Sequence, residues 1–283
     1  AFPLMLSGIL QLLFNAADIV VVGRFAGSQA LAAVGSTGAV SNLIVNAFIG
    51  LSVGANVLVA RSVGAGQREE ASQAVHTSIL LSLVCGSALV VVGVALARPL
   101  LEMMGTPADV IEMSTVYMRI YFCGMPVIML YNFGAAILRS VGDTKRPLYF
   151  LIVAGVVNVL LNLFFVIVLG MDVDGVALAT VLSQAVSAGL IVLCLVRMEG
   201  PCRLNLKELR IYKDKMIQIA RVGLPAGLQG CVFSLSNVLI QSSVNSFGSV
   251  AMAGNTSASN IEGFVYTGMN AIYQTALSFT SQN

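Results

Sequence analysis

Asp18 is a carboxylic acid set in an otherwise apolar run from Pro3 to Phe25, and Ser7, Gln11 and Asn15 precede it at spacings of four, four and three residues. Those spacings put all four side chains on one helical face. An ionised acid at bilayer depth costs a few kcal/mol or more, so such a residue faces a protein interior or a water-filled cavity and is held for function. Further polar residues recur at helical spacing: Asn42 with Asn46, Asn158 with Asn162, and a longer stripe of Thr180, Ser183, Gln184 and Ser187. Taken singly, each is interhelical glue contributing a fraction of a kcal/mol to about 2 kcal/mol. Taken with Asp18 and Gln11, they offer enough oxygens to bind a proton or a small hard cation, sodium at Asp18 included.

The elements that position these groups follow from composition. Of 283 residues, 57% are hydrophobic and 10% charged. A soluble domain carries about 25% charged residues, so the chain reads as an all-α polytopic membrane protein. A net charge of +2 gives no reason to expect a nucleic-acid partner. Apolar runs mark eight spans, near 3–25, 33–60, 76–98, 114–138, 148–169, 176–196, 222–246 and 257–279. Loops after even-numbered spans hold most of the Arg and Lys, from Arg61 and Arg68 to Arg203, Lys207 and Arg221. The opposite loops carry Glu102, Asp109, Glu112, Asp172 and Asp174. By the positive-inside rule the even loops and the N-terminus are cytoplasmic.

The chain divides into a first six-helix bundle over 1–197, a basic amphipathic linker over 198–221 and two helices of a second bundle over 222–283. The linker reads either as a helix lying on the cytoplasmic leaflet or as a solvated tether. At an offset of 222, Pro3, Gly8, Leu13, Asn15, Val22 and Phe25 meet Pro225, Gly230, Leu235, Asn237, Val244 and Phe247. This predicts a parallel repeat of six-helix bundles, the second truncated after two helices, with a central cavity as in secondary transporters. Ile240 stands opposite Asp18, so the acid belongs to the first bundle alone. Both ends of the chain fall inside hydrophobic segments, as expected of a piece of a longer protein.

Other features point away from catalysis. No GxSxG elbow, HExxH or Cys/His cluster occurs, so an enzyme is not expected. Gly64, Ala65 and Gly66 lack the Lys-Ser/Thr of a phosphate loop. Five cysteines without ligand spacing read as reduced fillers, and His76 reads as a neutral helix-end residue. The GxxxG spacings at Gly50 and Gly54 and at Gly223 and Gly227 predict close helix packing.

Several stretches resemble the multidrug and toxic compound extrusion (MATE) transporters of bacteria. They are Asn15 to Asp18 followed by Gly23 and Arg24, the turn at Gly64 to Gly66, the loop from Arg139 through Gly142, Asp143, Thr144, Lys145 and Arg146 to Pro147, Asn158 to Asn162, Gly175 to Thr180, and Gly223 to Pro225. The resemblance implies a monomer in the bacterial inner membrane that exports organic cations and amphipathic compounds by alternating access, in antiport with H+ or Na+ and without a cofactor. It implies ion coupling at Asp18 with Gln11, Asn158, Asn162 and Thr180, polar cavity positions at Tyr117 and Asn132, and bending of the first helix at Pro3; helical spacing adds Asn15 to the coupling set and Asn42, Asn46 and Gln184 to the cavity. Many relatives carry Asp where this chain has Asn162, which leaves the coupling ion open. The alternative is a lipid or lipid-linked oligosaccharide flippase, which calls for cationic side chains inside the bundle to hold phosphate oxygens.

Overall fold

The computed structural model describes residues 2–103, 110–245 and 249–282. The side chains of Asn15 and Asn42 lie outside the described part. Among the described residues there is no β-strand, and the chain runs through nine α-helices. They are α1 (Phe2–Val21), α2 (Gly27–Gly64), α3 (Arg68–Met103), α4 (Ile111–Cys123), α5 (Met125–Ser140), α6 (Lys145–Leu163), α7 (Val173–Arg197), α8 (Lys213–Asn245) and α9 (Ser249–Gln282). A π-helical turn over Val22–Ala26 joins α1 to α2, and a second over Phe164–Val168 ends α6. Four described stretches, Ile44–Gly64, Arg68–Met103, Lys145–Val168 and Val173–Arg197, are long and apolar enough to cross a membrane, and α4 with α5 makes a fifth if counted as one span.

Local chemistry accounts for the helix ends. Gly66 and Gly142 adopt φ of +70° and +84° in the turns after α2 and α5, a region that only glycine enters without strain. In the second turn Asp143 Oδ1 accepts from the Arg146 backbone N–H at 3.1 Å, while Asp143 Oδ2 meets Arg146 Nε at 3.2 Å. The most specific of the family-like loops is therefore a helix-starting device, with Pro147 in the first turn where its missing N–H removes no bond. At the opposite ends of the helices, Arg98 on α3 reaches Glu102 and Glu112 at 3.0 Å each, tying the end of α3 to the start of α4.

Two expectations are corrected. The fourth span is not one rod: at Gly124 it bends by 48° between α4 and α5. Pro126 lies in the first turn of α5, where its lack of an N–H favours a new helix start over a continuous one. The linker contains no separate surface helix. Residues 198–212 form an irregular strap with one 3-10 turn, Leu206–Glu208, and 213–221 already belong to α8. The strap is bonded to α3 instead: His76 Nε2 accepts from Asn205 N–H at 3.1 Å and Thr77 Oγ1 accepts from Tyr212 N–H at 3.1 Å, and just beyond the strap Lys215 of α8 pairs with Glu70. Its apolar residues Cys202 and Leu204 enter the main core with Leu58 and Val59 of α2, Ile79 of α3, Phe133 and Ile137 of α5 and Leu195 of α7. Burial against these side chains competes successfully with the membrane surface for the same residues.

Helix α2 packs most extensively on α8. At this crossing Gly50 and Gly54 of α2 lie against Gly223 and Gly227 of α8, so close that a Cβ at Gly223 would sit 2.6 Å from the Leu51 Cα. The glycine spacings act as expected, letting two backbones touch. On the other side, α1 packs on α6 and α9, with the Phe14 ring seated on Gly155 and Thr267 on Gly8.

Candidate functional site

Asp18 is half-buried on α1 and faces α6. The i, i+4 pair on α6 places Asn158 and Asn162 on the face that meets it, and both are buried. Asn162 Nδ2 donates to Asp18 Oδ1 at 2.5 Å and to Asn158 Oδ1 at 3.2 Å. Both amide hydrogens of Asn162 are thereby used. Its own Oδ1 is buried with no hydrogen-bond partner among the described residues.

The surroundings are apolar. One turn beyond Asp18, Val21 and Val22 pack with Ala30, Ala33, Val110, Val166, Val173 and Val176, and Tyr117 and Leu163 close the cluster. The Tyr117 ring of α4 stacks on that of Tyr121 with centroids 6.3 Å apart. The two π-helical turns touch each other at this end of the molecule. A π turn inserts an extra residue into the helix and is frequent where a helix serves function.

The other sequence-predicted residues are dispersed. Thr180 lies one turn from Val176 of this cluster, but its hydroxyl donates to the Val176 carbonyl at 3.0 Å on its own helix. Asn132 likewise donates to the Ile128 carbonyl at 2.9 Å, and Gln184 accepts from Ser187 Oγ. Asn46 donates to Ser234 Oγ at 3.0 Å, which makes it a bridge between α2 and α8. Gln11 is exposed, so the polar stripe of α1 divides, with Asp18 turned to the neighbouring helix and Gln11 to the chain surface. Pro3 stands in the first turn of α1 with Ser7 Oγ bonded to its carbonyl at 2.8 Å. The departure from α geometry in this stretch falls at Val22–Ala26, the other end. Among the described residues no group of three or more His, Cys, Asp or Glu could hold a metal ion.

Periodicity found the Asn158 and Asn162 pair, whereas nothing in the sequence marked the π turns. The sequence also assigned Arg139 to a loop, yet its Nε is buried near the end of α5 without a partner among the described residues.

The MatE family model matches residues 3–164, more than half of the chain. The probable multidrug resistance protein YoeA of Bacillus subtilis (strain 168) is 33% identical over 273 residues, covering 93% of this chain and 58% of that protein. A solved structure described as the outward-facing conformation of a multidrug resistance MATE family transporter of the MOP superfamily superposes with a TM-score of 0.87 at 30% identity, over 99% of this chain and 62% of its own. An inward-facing conformation gives 0.77 at 26% identity, over 96% and 66%. The chain thus spans about 60% of the length of the relatives it matches. With a family match over residues 3–164 and helices that superpose along nearly all of its length, this chain belongs to the MatE (multidrug and toxic compound extrusion) family.

Proposed function

We propose that the protein is a secondary active exporter of organic cations and other amphipathic compounds, coupled to the inward movement of H+ or Na+ at Asp18. The observation that carries this reading is the hydrogen bond from Asn162 to Asp18 between two helices of a membrane protein. A charge at that depth is costly unless it is used. Neutralising Asp18 weakens its bond to α6, so α1 is freer to repack beside the adjoining π turn, with Pro3 as a further bending point. Gln11, Asn15 and Thr180 belong to the same coupling region, and Tyr117, Asn132, Asn42, Asn46 and Gln184 to the substrate path. The two bundles form a parallel repeat that alternates access across the inner membrane of a bacterium, with the N-terminus in the cytoplasm.

The test is Asp18→Asn in the full-length protein, reconstituted in vesicles with a fluorescent organic cation under an imposed pH or sodium gradient. Gradient-driven efflux should fall to the level of empty vesicles, and undiminished efflux at matched protein content would sink the reading. One observation favours a flippase, the buried Arg139 Nε. A single guanidinium is short of the cationic cluster that a pyrophosphate requires, and the Asp18 site has no use in that reading. A lipid-linked substrate in the same vesicles separates the two.

A further inference from the structure

We infer that the strap binds the headgroup of an anionic phospholipid in the cleft between itself and α3, with Arg203 and Lys207 on the lipid phosphate. Two hydrogen bonds set the depth of this cleft. Leu204 N–H donates to the Leu195 carbonyl in the last apolar turn of α7 at 2.9 Å, and Asn205 N–H donates to His76 Nε2 at 3.1 Å. Arg197 follows Leu195 by two residues, and His76 precedes by three the Ile79 at which α3 turns apolar. Residues 204 and 205 therefore lie where two spanning helices pass from apolar to polar sequence. In a membrane that is the level of the lipid headgroups.

The strap is also held with its cations outward. Cys202 and Leu204 are buried while Arg203 and Asn205 are exposed, and the backbone at Asn205 is extended, with φ −104° and ψ 108°. Neighbouring side chains on extended backbone point to opposite sides, so anchoring Cys202 and Leu204 in the core turns Arg203 away from it. The cleft, of about 480 Å³, has Ser72 and His76 of α3 on one side and Arg203, Asn205, Lys207 and Glu208 of the strap on the other. That is the size of a small-molecule site, about 300–1,000 Å³. Glu208, the acid of this lining, accepts from Asn205 Nδ2 at 2.7 Å. Among the described residues neither the Arg203 guanidinium nor the Lys207 ammonium has a hydrogen-bond or ion-pair partner, whereas Arg98, Arg146 and Lys215 at other helix ends all do. Exposed Leu206 and Ile211 stand beside these cations, an apolar footing for the upper part of the acyl chains. Over residues 197–221 the exposed charges are Arg197, Arg203, Lys207, Arg210, Lys213 and Arg221 against Glu199, Glu208 and Asp214, six less three, a surplus of three positive charges that favours an anionic lipid over a zwitterionic one.

The experiment titrates the full-length protein in detergent with dioleoyl phosphatidylglycerol, and separately with dioleoyl phosphatidylethanolamine, and counts bound lipids by native mass spectrometry. The unmodified protein should retain one phosphatidylglycerol at least tenfold more tightly than phosphatidylethanolamine. Each cation removed should weaken that binding about fivefold, so Arg203→Ser combined with Lys207→Ser should weaken it about 25-fold. Lys213→Ser combined with Arg221→Ser removes as much charge outside the cleft and should change it by less than about twofold. Equal affinity for the two lipids, or the same loss in both double variants, overturns the inference, the second because it would mean a diffuse basic surface and no built site. Inorganic phosphate equimolar with the lipid should not displace it, and displacement would make the cleft a site for a free anion and overturn the lipid. Should the Arg203 and Lys207 double variant fail to fold, the lipid preference of the unmodified protein and the Lys213 and Arg221 variant decide.

Discussion

At the scale of single residues, Asp18, Asn162 and Asn158 form a chain in which each member fixes the next. Asp18 orients the Asn162 amide, and Asn158 holds its second hydrogen. Asn158→Leu keeps the volume but leaves one buried N–H of Asn162 unpaired, a loss of about 1–3 kcal/mol. The expected outcome is a folded protein with a lower melting temperature and a broader pH dependence of efflux, both measured on the same detergent preparation. The acid and the amide pair were legible in the sequence because each follows a rule that acts along one helix. Which amide atom faces the acid was not legible, since it depends on acceptors from two helices meeting at one point. Tyr117 came from family likeness, and the structure packs it on the cluster of Val21 and Val22, one turn beyond Asp18, a placement that local spacing does not encode.

At the scale of elements, the helices themselves were readable from apolar length, whereas their breaks were not. The bend at Gly124 sits in a run whose hydropathy is continuous, so composition alone describes it as one span. The linker is the clearest case. Its alternation of apolar and basic residues suits a surface helix, but Cys202 and Leu204 find a protein core within reach and the strap follows them. His76 then acquires a defined role. Its Nδ1 lies 2.7 Å from the Ser72 carbonyl and so carries the hydrogen, which leaves Nε2 to accept from Asn205 N–H. Replacing it, as in His76→Ala, strands that N–H at a cost of about 1–2 kcal/mol. An energy of that size raises local opening about 5- to 30-fold. Trypsin should therefore cut at the exposed Arg203, Lys207 and Arg210 several-fold faster in the variant than in the parent, with the fragments identified by mass. Equal rates would show that the strap is held without the histidine.

At the scale of the whole molecule, charge and apolar surface describe how it sits in its surroundings. Exposed apolar residues on α8 (Leu224, Leu228, Val232, Phe233, Leu235) and on α9 (Val265, Met269, Ile272, Phe279) suit contact with lipid or with further helices. The positive-inside pattern predicts that the strap is cytoplasmic and that the Arg98, Glu102 and Glu112 cluster is external. In a cysteine-free background, Glu102→Cys should react with a membrane-impermeant maleimide in intact cells, and Arg203→Cys only after permeabilisation. The reverse labelling pattern would invert the orientation of the bundle. The helix α2 adds a mechanical property to this picture. Its 38 residues run without a break for about 57 Å, nearly twice the roughly 30 Å hydrocarbon core of a bilayer. One end starts from the π turn beside the Asp18 region, and farther along it carries the bare glycine backbone pressed on α8. A tilt of about 5° at the first end displaces the other by about 5 Å over that length. With no side chain between the two backbones at the glycines to flex or yield, such a swing would be delivered to α8 instead of being absorbed on the way.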